Sequence, residues 1–289
     1  MNLSVIIPVY AKGPVNLEFL LDLIRKLKDL GLTAEIIIAD DASPHRIEIP
    51  ATPELNGEEI KLVRNPIRRG PNSARNLGIQ NASSENVLLL DFGDFISTEL
   101  LKMSYDQLCA GGKIKLTGGN YTETRKVLFS KREVVLEIRE AKFLGEICPN
   151  GSGMAFKKQT WQELGGFDEN IFYGATDREF GLRVMDRYGR EAIQILPASV
   201  FHYVKTSPFS NFVRSFRLSR GYVYVLNKRR NLAPKVSSST KLKLLHFNNR
   251  NLMTLFRTEG FAFTISSLLG KIFGRLFWRF VYRISTSIK

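Results

Sequence analysis

The chain has 289 residues, 44% of them hydrophobic and 24% charged, which suits one sizeable α/β domain with an extension and excludes disorder throughout. The formal net charge is +14, and from Leu226 to Lys289 thirteen Lys or Arg stand against a single acid, Glu259. Nearly all the excess positive charge is therefore in the last quarter, as expected of a basic tail that meets an anionic partner.

Met1–Pro8 is strand-like, with no basic region and no cleavage site, which argues against a secretory signal peptide. Leu3–Val9 reads as a buried strand ended by Pro8 and followed by a loop over Tyr10–Gly13. Pro14 and Asn16 are start signals for a helix over Leu17–Leu30, apolar at 17, 20, 21, 24 and 27 and stopped by Gly31. Ala34–Ala39 is a second buried strand that runs into Asp40 and Asp41. Lys61–Asn65 is a short third strand, and after Arg68-Arg69-Gly70-Pro71 the pattern predicts a helix from Ser73 to Gln80. The apolar run Val87–Leu90 is too short for a helix and fits a strand buried on both faces. It stops at Asp91 and Asp94, where ligands bind in open α/β sheets, and two close carboxylates repel unless a cation lies between them.

This order of elements is that of a doubly wound nucleotide-binding half. No Gly-x-Gly-x-x-Gly follows the first strand and no P-loop pattern occurs, so neither a plain dinucleotide fold nor a P-loop enzyme is expected. Cys109 and Cys148 match no metal-ligand spacing and read as reduced thiols in a cytosolic setting. No apolar run of about 18 residues occurs, so no transmembrane helix is predicted.

Four segments, Ser-Val-Ile-Ile-Pro-Val-Tyr at 4–10, Ile-Ile-Ala-Asp-Asp-Ala-Ser at 37–43, Gly-Pro-Asn-Ser-Ala-Arg-Asn-Leu-Gly-Ile at 70–79 and Leu-Leu-Asp-Phe-Gly-Asp at 89–94, resemble the nucleotide-sugar half of family 2 glycosyltransferases of the GT-A fold. Gly-Ser-Gly-Met-Ala-Phe at 151–156, Gly-Gly-Phe-Asp-Glu at 165–169 and Gly-Ala-Thr-Asp-Arg-Glu-Phe-Gly-Leu-Arg at 174–183 resemble its acceptor half. The resemblance runs from Met1 to about Val204. It implies a GT-A-like, Rossmann-like α/β domain over residues 1–225 (donor half 1–100, acceptor half 101–225) with a mostly parallel central sheet flanked by helices. A basic helical extension over 226–289 would follow.

The resemblance also implies roles. Pro8, Tyr10, Asp40, Asp41, Arg75 and Asp91 would bind the nucleotide sugar, with Asp40 or Asp41 accepting from a uracil-type ring N–H and Arg75 near the diphosphate. The plainer alternatives are a helix cap at Asp41 or Ser43 and a solvated helix arginine. Asp91, Asp94 and His202 would hold Mn²⁺ or Mg²⁺, although Gly93 stands where the family's Asp-x-Asp pattern has an acid. Such an ion needs only one or two protein carboxylates, because phosphate oxygens and water fill the other places. Asp177 would be the catalytic base of an inverting transfer, after Thr176 where the family commonly has a further acid; Glu179 is the next candidate. As a plainer role, Asp177 would cap a helix over Asp177–Arg187 whose Glu179, Arg183 and Arg187 are spaced for i,i+4 pairs.

In Phe261–Lys289, Lys271, Arg275, Arg279 and Arg283 recur every four residues on an apolar, aromatic-rich body, the composition of a helix lying on anionic lipid. A helix packed on the catalytic domain or a dimer partner is the alternative. The expected activity is inverting transfer of a hexosyl or N-acetylhexosaminyl group from a nucleotide diphosphate sugar, UDP-linked, to a hydroxyl of a lipid-linked or polymeric glycan, as in cell-surface polysaccharide synthesis. The expected location is cytoplasmic, peripheral on the inner face of the cell membrane. A non-catalytic scaffold of the same fold is the first rival. A nucleic-acid-binding protein is the second, resting on charge alone without a recognised module.

Overall fold

The computed structural model describes residues 2–49, 59–127, 133–136, 148–232 and 261–287. In chain order the elements are β1 (Leu3–Val9), α1 (Glu18–Asp29), β2 (Ala34–Asp40), β3 (Glu59–Arg64), α2 (Pro71–Gln80), β4 (Asn86–Leu89), β5 (Phe95–Ile96), α3 (Thr98–Ala110), β6 (Leu116–Val127), β7 (Glu133–Leu136), β8 (Ala155–Lys157), α4 (Lys158–Glu163), α5 (Thr176–Tyr188), β9 (Ile193–Thr206), α6 (Pro208–Leu232) and α7 (Phe261–Ser287). The chain divides into two compact units. The first holds Met1–Glu123, Glu137–Phe172 and Thr176–Tyr203; the second holds Thr124–Leu136, Tyr173–Ala175 and Val204–Lys289. The second unit thus begins well before the boundary expected at 225, because α6 is one continuous helix whose packing partner is α7. Residues 233–260 of the predicted extension lie outside the described residues.

The sheet order is β3-β2-β1-β4-β8-β6-β9-β5, with β7 added on β6. The first four strands are parallel, in register Leu3↔Ala34 through Val9↔Asp40 and Ser4↔Val87 through Ile6↔Leu89. From β8 onward the pairs β4–β8, β8–β6 and β9–β5 are antiparallel, so the parallel part coincides with the predicted donor half. Strand alternation sends Val5, Ile7, Ile36 and Ile38 to one face, under Phe19, Leu20, Leu23 and Ile24 of α1. It sends Ile6, Ile37, Val87 and Leu89 to the other, against Ile79, Phe156, Phe167 and Phe180. With helices on both faces, these strands read as unbroken apolar runs.

A proline inside a central strand normally removes a ladder hydrogen bond. Pro8 escapes that cost because β4 pairs with β1 only as far as Ile6↔Leu89, and the last link on that side runs from the Leu90 N–H to the Ile6 carbonyl at 3.0 Å. The ladder between β1 and β4 therefore ends before Pro8, while β1 and β2 stay paired to Val9↔Asp40, and the carboxyl ends of β1, β2 and β4 form the switch point of the parallel half, where a ligand crevice is expected.

At the opposite, amino-terminal ends of the strands lies a buried acid, Glu35 of β2. It accepts from the Ser4 hydroxyl at 2.5 Å, the Ser83 N–H at 2.5 Å, the Ser83 hydroxyl at 2.6 Å and Lys61 Nζ at 2.7 Å. Burial works against its ionised form, but the Lys61 ammonium, the two hydroxyls and the Ser83 N–H outweigh it, and its pKa falls from 4.5 to about 2. A depressed carboxylate stabilises the fold above its unfolded pKa and loses that contribution as pH drops through the folded one. Glu35→Gln is therefore expected to lower stability at pH 7 by roughly 1–3 kcal/mol. In denaturant titrations the gap to the parent protein should close as the pH is taken from about 4.5 to about 2; a gap independent of pH would show that packing, not charge, holds this corner.

Candidate active site

The loops at the carboxyl ends of β1, β2 and β4 carry the acids singled out from the sequence, and each buried acid is already occupied in shaping the crevice. Asp40, buried at the end of β2, accepts from the Ser43 N–H at 2.8 Å and the Ser43 hydroxyl at 2.5 Å through Oδ1, and pairs with Arg64 through Oδ2. Asp41 accepts from Asn65 Nδ2 at 3.1 Å, the Arg69 N–H at 2.9 Å and the Gly70 N–H at 2.7 Å. No helix starts at Asp41 or Ser43, so the cap expected there is absent. Asp41 instead fastens the loop from Asn65 to Gly70, and Asp40 holds Arg64 just before it. That loop delivers Arg68 onto the ring of Tyr10, 3.8 Å from its centroid, with Phe172 5.1 Å away. At that distance the guanidinium lies in direct contact with the aromatic face, a cation–π pair that presents a flat, polarisable surface. Arg68 carried no sequence signal beyond its place in a turn.

Gly70 has φ +100°, a conformation open to glycine and costly to other residues, and Pro71 at the first turn then starts α2. The helix so begun carries Arg75, which is buried, so the solvated alternative is wrong. Its Nη2 donates to Asp91 Oδ1 at 2.6 Å and its Nη1 reaches Asn72 Oδ1 at 3.4 Å, while Nε is buried without a hydrogen-bond partner. A Cβ added at Gly151 would lie 3.4 Å from Arg75 Nη2 and 3.7 Å from Asp177 Cβ. The arginine and the predicted base thus flank one glycine, and that gap exists because position 151 has no side chain.

Asp91 to Asp94 form a tight turn closed by the Asp94 N–H on the Asp91 carbonyl at 3.0 Å. Gly93 sits in it at φ +84°. An acid at that position would be strained, so the departure from Asp-x-Asp is built into this turn. Asp91 is 42% exposed and its N–H donates to the Ser152 hydroxyl at 3.1 Å. Asp94 is fully buried, and its Oδ1 is in direct contact with His202 Nδ1. Burial raises the Asp94 pKa, with His202 and Ser152 opposing and Asp91 adding to the rise. Ser152 lies near enough to favour the ionised form, yet Oδ2 has no partner in proper hydrogen-bond geometry. His202 in turn stacks on Tyr121 with centroids 5.5 Å apart.

For a divalent ion, the orphaned Asp94 Oδ2 and the exposed Asp91 carboxylate fit as the one or two protein ligands that an ion shared with phosphate oxygens requires. His202 is set against Asp94 rather than across a gap from it, and no group of three His, Cys, Asp or Glu side chains is arranged for an ion among the described residues.

Asp177 lies in the first turn of α5, where its Oδ1 accepts from the Arg178 N–H at 2.9 Å. Glu179 is buried and bound in two-pronged fashion by Arg183, at 2.9 Å from Nε and 2.7 Å from Nη2. The same guanidinium donates to the carbonyls of Leu164 at 2.5 Å and Gly166 at 2.8 Å. Glu179 is thus committed to holding α5 against the loop after α4, which removes it as a substitute base. Asn76 secures the same loop through Phe167 O at 2.9 Å, the Phe167 N–H at 2.8 Å and Trp161 Nε1 at 3.1 Å.

Residues 4–156 match the family model described as Glycosyl transferase family 2. Among curated proteins, an uncharacterized glycosyltransferase of Haemophilus influenzae is 31% identical over 121 residues, 41% of this chain and 46% of the relative's length. The uncharacterized glycosyltransferase YwdF of Bacillus subtilis is 27% identical over 199 residues, 65% of this chain and 69% of the relative's. Among solved structures, S. aureus TarS 1–349 in complex with UDP aligns over 96% of this chain and 91% of its own at 16% identity, with a TM-score of 0.50. The mannosyltransferase PcManGT from Pyrobaculum calidifontis in complex with GDP-Man and Mn²⁺ aligns over 94% and 87% at 17% identity, with a TM-score of 0.56. The fold is therefore that of the GT-A glycosyltransferases.

Removing one member of this hydrogen-bonded contact leaves the buried Asp94 carboxyl unsatisfied, so His202→Ala should destabilise the chain by about 1–3 kcal/mol. Asp94→Asn in the same background should recover part of that loss, and thermal unfolding of the four proteins in the cycle measures the coupling. Strict additivity would mean that the contact contributes nothing.

Proposed function

The chain belongs to glycosyl transferase family 2, whose model spans more than half of it, and on that premise we propose that it moves a sugar from a nucleotide diphosphate donor, UDP-linked, to a hydroxyl of a lipid-linked or polymeric glycan with inversion at the anomeric carbon. The observation that carries this reading is the meeting of Arg75 and Asp177 across Gly151, next to Asp91 at the head of β4. A buried guanidinium with an unpartnered Nε beside a carboxylate at a helix start suits an anionic leaving group next to an attacking hydroxyl.

The base ring of the donor would lie against the Tyr10–Arg68 pair, with Pro8 beside it, Asp40 and Asp41 bracing the loop and one of the two accepting from the ring's N–H. Arg75 would bind the diphosphate and offset the charge that grows on it as the glycosidic bond breaks. Asp177 would accept the hydroxyl proton as the acceptor oxygen attacks from the face opposite the diphosphate. An ionised carboxylate in this role is worth ~10²–10⁴-fold in rate. Mn²⁺, present with GDP-Man in the complex of the Pyrobaculum enzyme, or Mg²⁺ would be held here by Asp91 and Asp94. When bound it supplies further positive charge to the diphosphate. UDP is the nucleotide in the TarS complex and GDP-Man the donor in the Pyrobaculum one; we take UDP for this chain. We place the protein peripherally on the inner face of the cell membrane, since its last quarter is strongly basic and no helix among the described residues is long and apolar enough to cross a bilayer.

Thermal stabilisation by a panel of UDP- and GDP-sugars, with Mn²⁺ and with EDTA, tests the donor reading, because a ligand that binds only the folded state raises its melting temperature. A UDP-sugar should stand out, and silence across the panel would leave the chain a scaffold. Asp177→Asn should keep the donor-induced shift and cut turnover at least about a hundredfold. Activity near that of the parent would place the base elsewhere.

A further inference from the structure

In the second unit α6 and α7 pack closely, and small residues make it possible. A Cβ at Gly270 would lie 2.4 Å from the Phe212 carbonyl oxygen, and one at Gly274 would lie 2.7 Å from that of Phe216. The Ser219 hydroxyl reaches the Lys271 carbonyl at 3.4 Å, and Ser215 and Ser267 face each other at 3.4 Å. This contact fixes the rotation of α7 about its axis. The residues it leaves outward are Leu269, Ile272, Phe273, Leu276, Phe277 and Phe280, each between 40% and 64% exposed. Spaced 3-1-3-1-3, they cover an arc of roughly 140° and a strip about 16 Å long. An apolar strip of this kind marks an interaction surface.

The charge on the same helix says what covers it. Residues 261–289 contain no Asp or Glu and five Lys or Arg. Arg275 has its pKa lowered, first by burial and then by the neighbouring charge of Arg279, so positive groups already crowd one another here. A second copy would bring like charge onto like charge, whereas an anionic lipid surface neutralises it. A recurrence every four residues also advances about 40° per step on a helix with 3.6 residues per turn. Lys271, Arg275 and Arg279 therefore wind around α7 towards the apolar strip instead of forming the docking face themselves.

We propose that the outward strip of α7, Leu269 to Phe280, seats in the interfacial layer of a bilayer rich in anionic lipid, with the arginines at its edge meeting the headgroups. This rests on the peripheral-membrane reading above and gives it a surface: apolar side chains supply the insertion and basic ones choose the lipid. It also means that deleting the helix would uncover its partner face on α6, so point changes on the exposed strip are the cleaner probe.

The test uses the full chain floated with vesicles of phosphatidylcholine, with and without phosphatidylglycerol. The parent protein should float with the anionic vesicles. Phe273→Gln/Phe280→Gln, with Leu276→Gln as substitute if the pair lowers the melting temperature, should reduce partitioning at least tenfold at low and high salt. Arg279→Gln should reduce it about fivefold, and only at low salt. A parent protein that does not float, or strip variants that float as it does, overturn the proposal. So does a lipid-free dimer by light scattering that the paired variant dissociates, because a second copy then covers the strip. UDP-sugar hydrolysis in vesicle-free aliquots separates this inference from the transferase reading: a parent protein that hydrolyses the donor without floating rejects the docking surface alone, and a parent protein that floats without hydrolysis supports docking while rejecting the transferase.

Discussion

A carboxylate removed from water must be met by donors, and this fold is arranged by where it meets them. Glu35 ties β2 to Ser4, Lys61 and Ser83 at the amino-terminal ends of the parallel strands. Asp40 and Asp41 tie the end of β2 to Arg64 and to the loop ending at Gly70. Asp94 binds the β4 turn to His202 on β9. Each contact satisfies an acid that is costly to bury unpaired, and each fixes a loop that the apolar core alone would leave free. One end of the sheet is thereby stabilised, and the other is shaped into a crevice.

Within the crevice, the same rule separates structural acids from available ones. Glu179 is spent on Arg183, and one oxygen of Asp94 on His202, which leaves its Oδ2 without a partner. Asp91 keeps an exposed face while holding Arg75, and Asp177 stands at a helix start beside the glycine gap. The departures from the family pattern fall within this arrangement. Gly93 is required by the left-handed turn it occupies, and Thr176 is a buried residue at the first position of α5.

The second unit follows a different logic, with an interface of glycines and serines in which two helices come close enough for backbone contact. That closeness leaves large apolar groups on the outside of α7, the reverse of what a helix packed into a core would show.

Much of this could be read from the residues in order. Unbroken apolar runs announced β1, β2 and β4 because both faces of the parallel sheet are covered, and their ends announced the site because α/β sheets open there. Ordered motifs identified the family and its candidate acids. Period and composition also placed a helix over the last described stretch. What the sequence could not show was which polar atoms find one another: that Asp41 holds a loop instead of capping a helix, that Arg75 is buried on Asp91, that Arg68 lies on Tyr10, that Glu179 is locked to Arg183, and that α7 turns its phenylalanines, not its arginines, outward. Those outcomes depend on pairings between residues as far apart as Asn76 and Phe167 or Asp94 and His202. Local pattern reports the burial a residue seeks, while the partner that satisfies it is chosen only when distant segments are packed together.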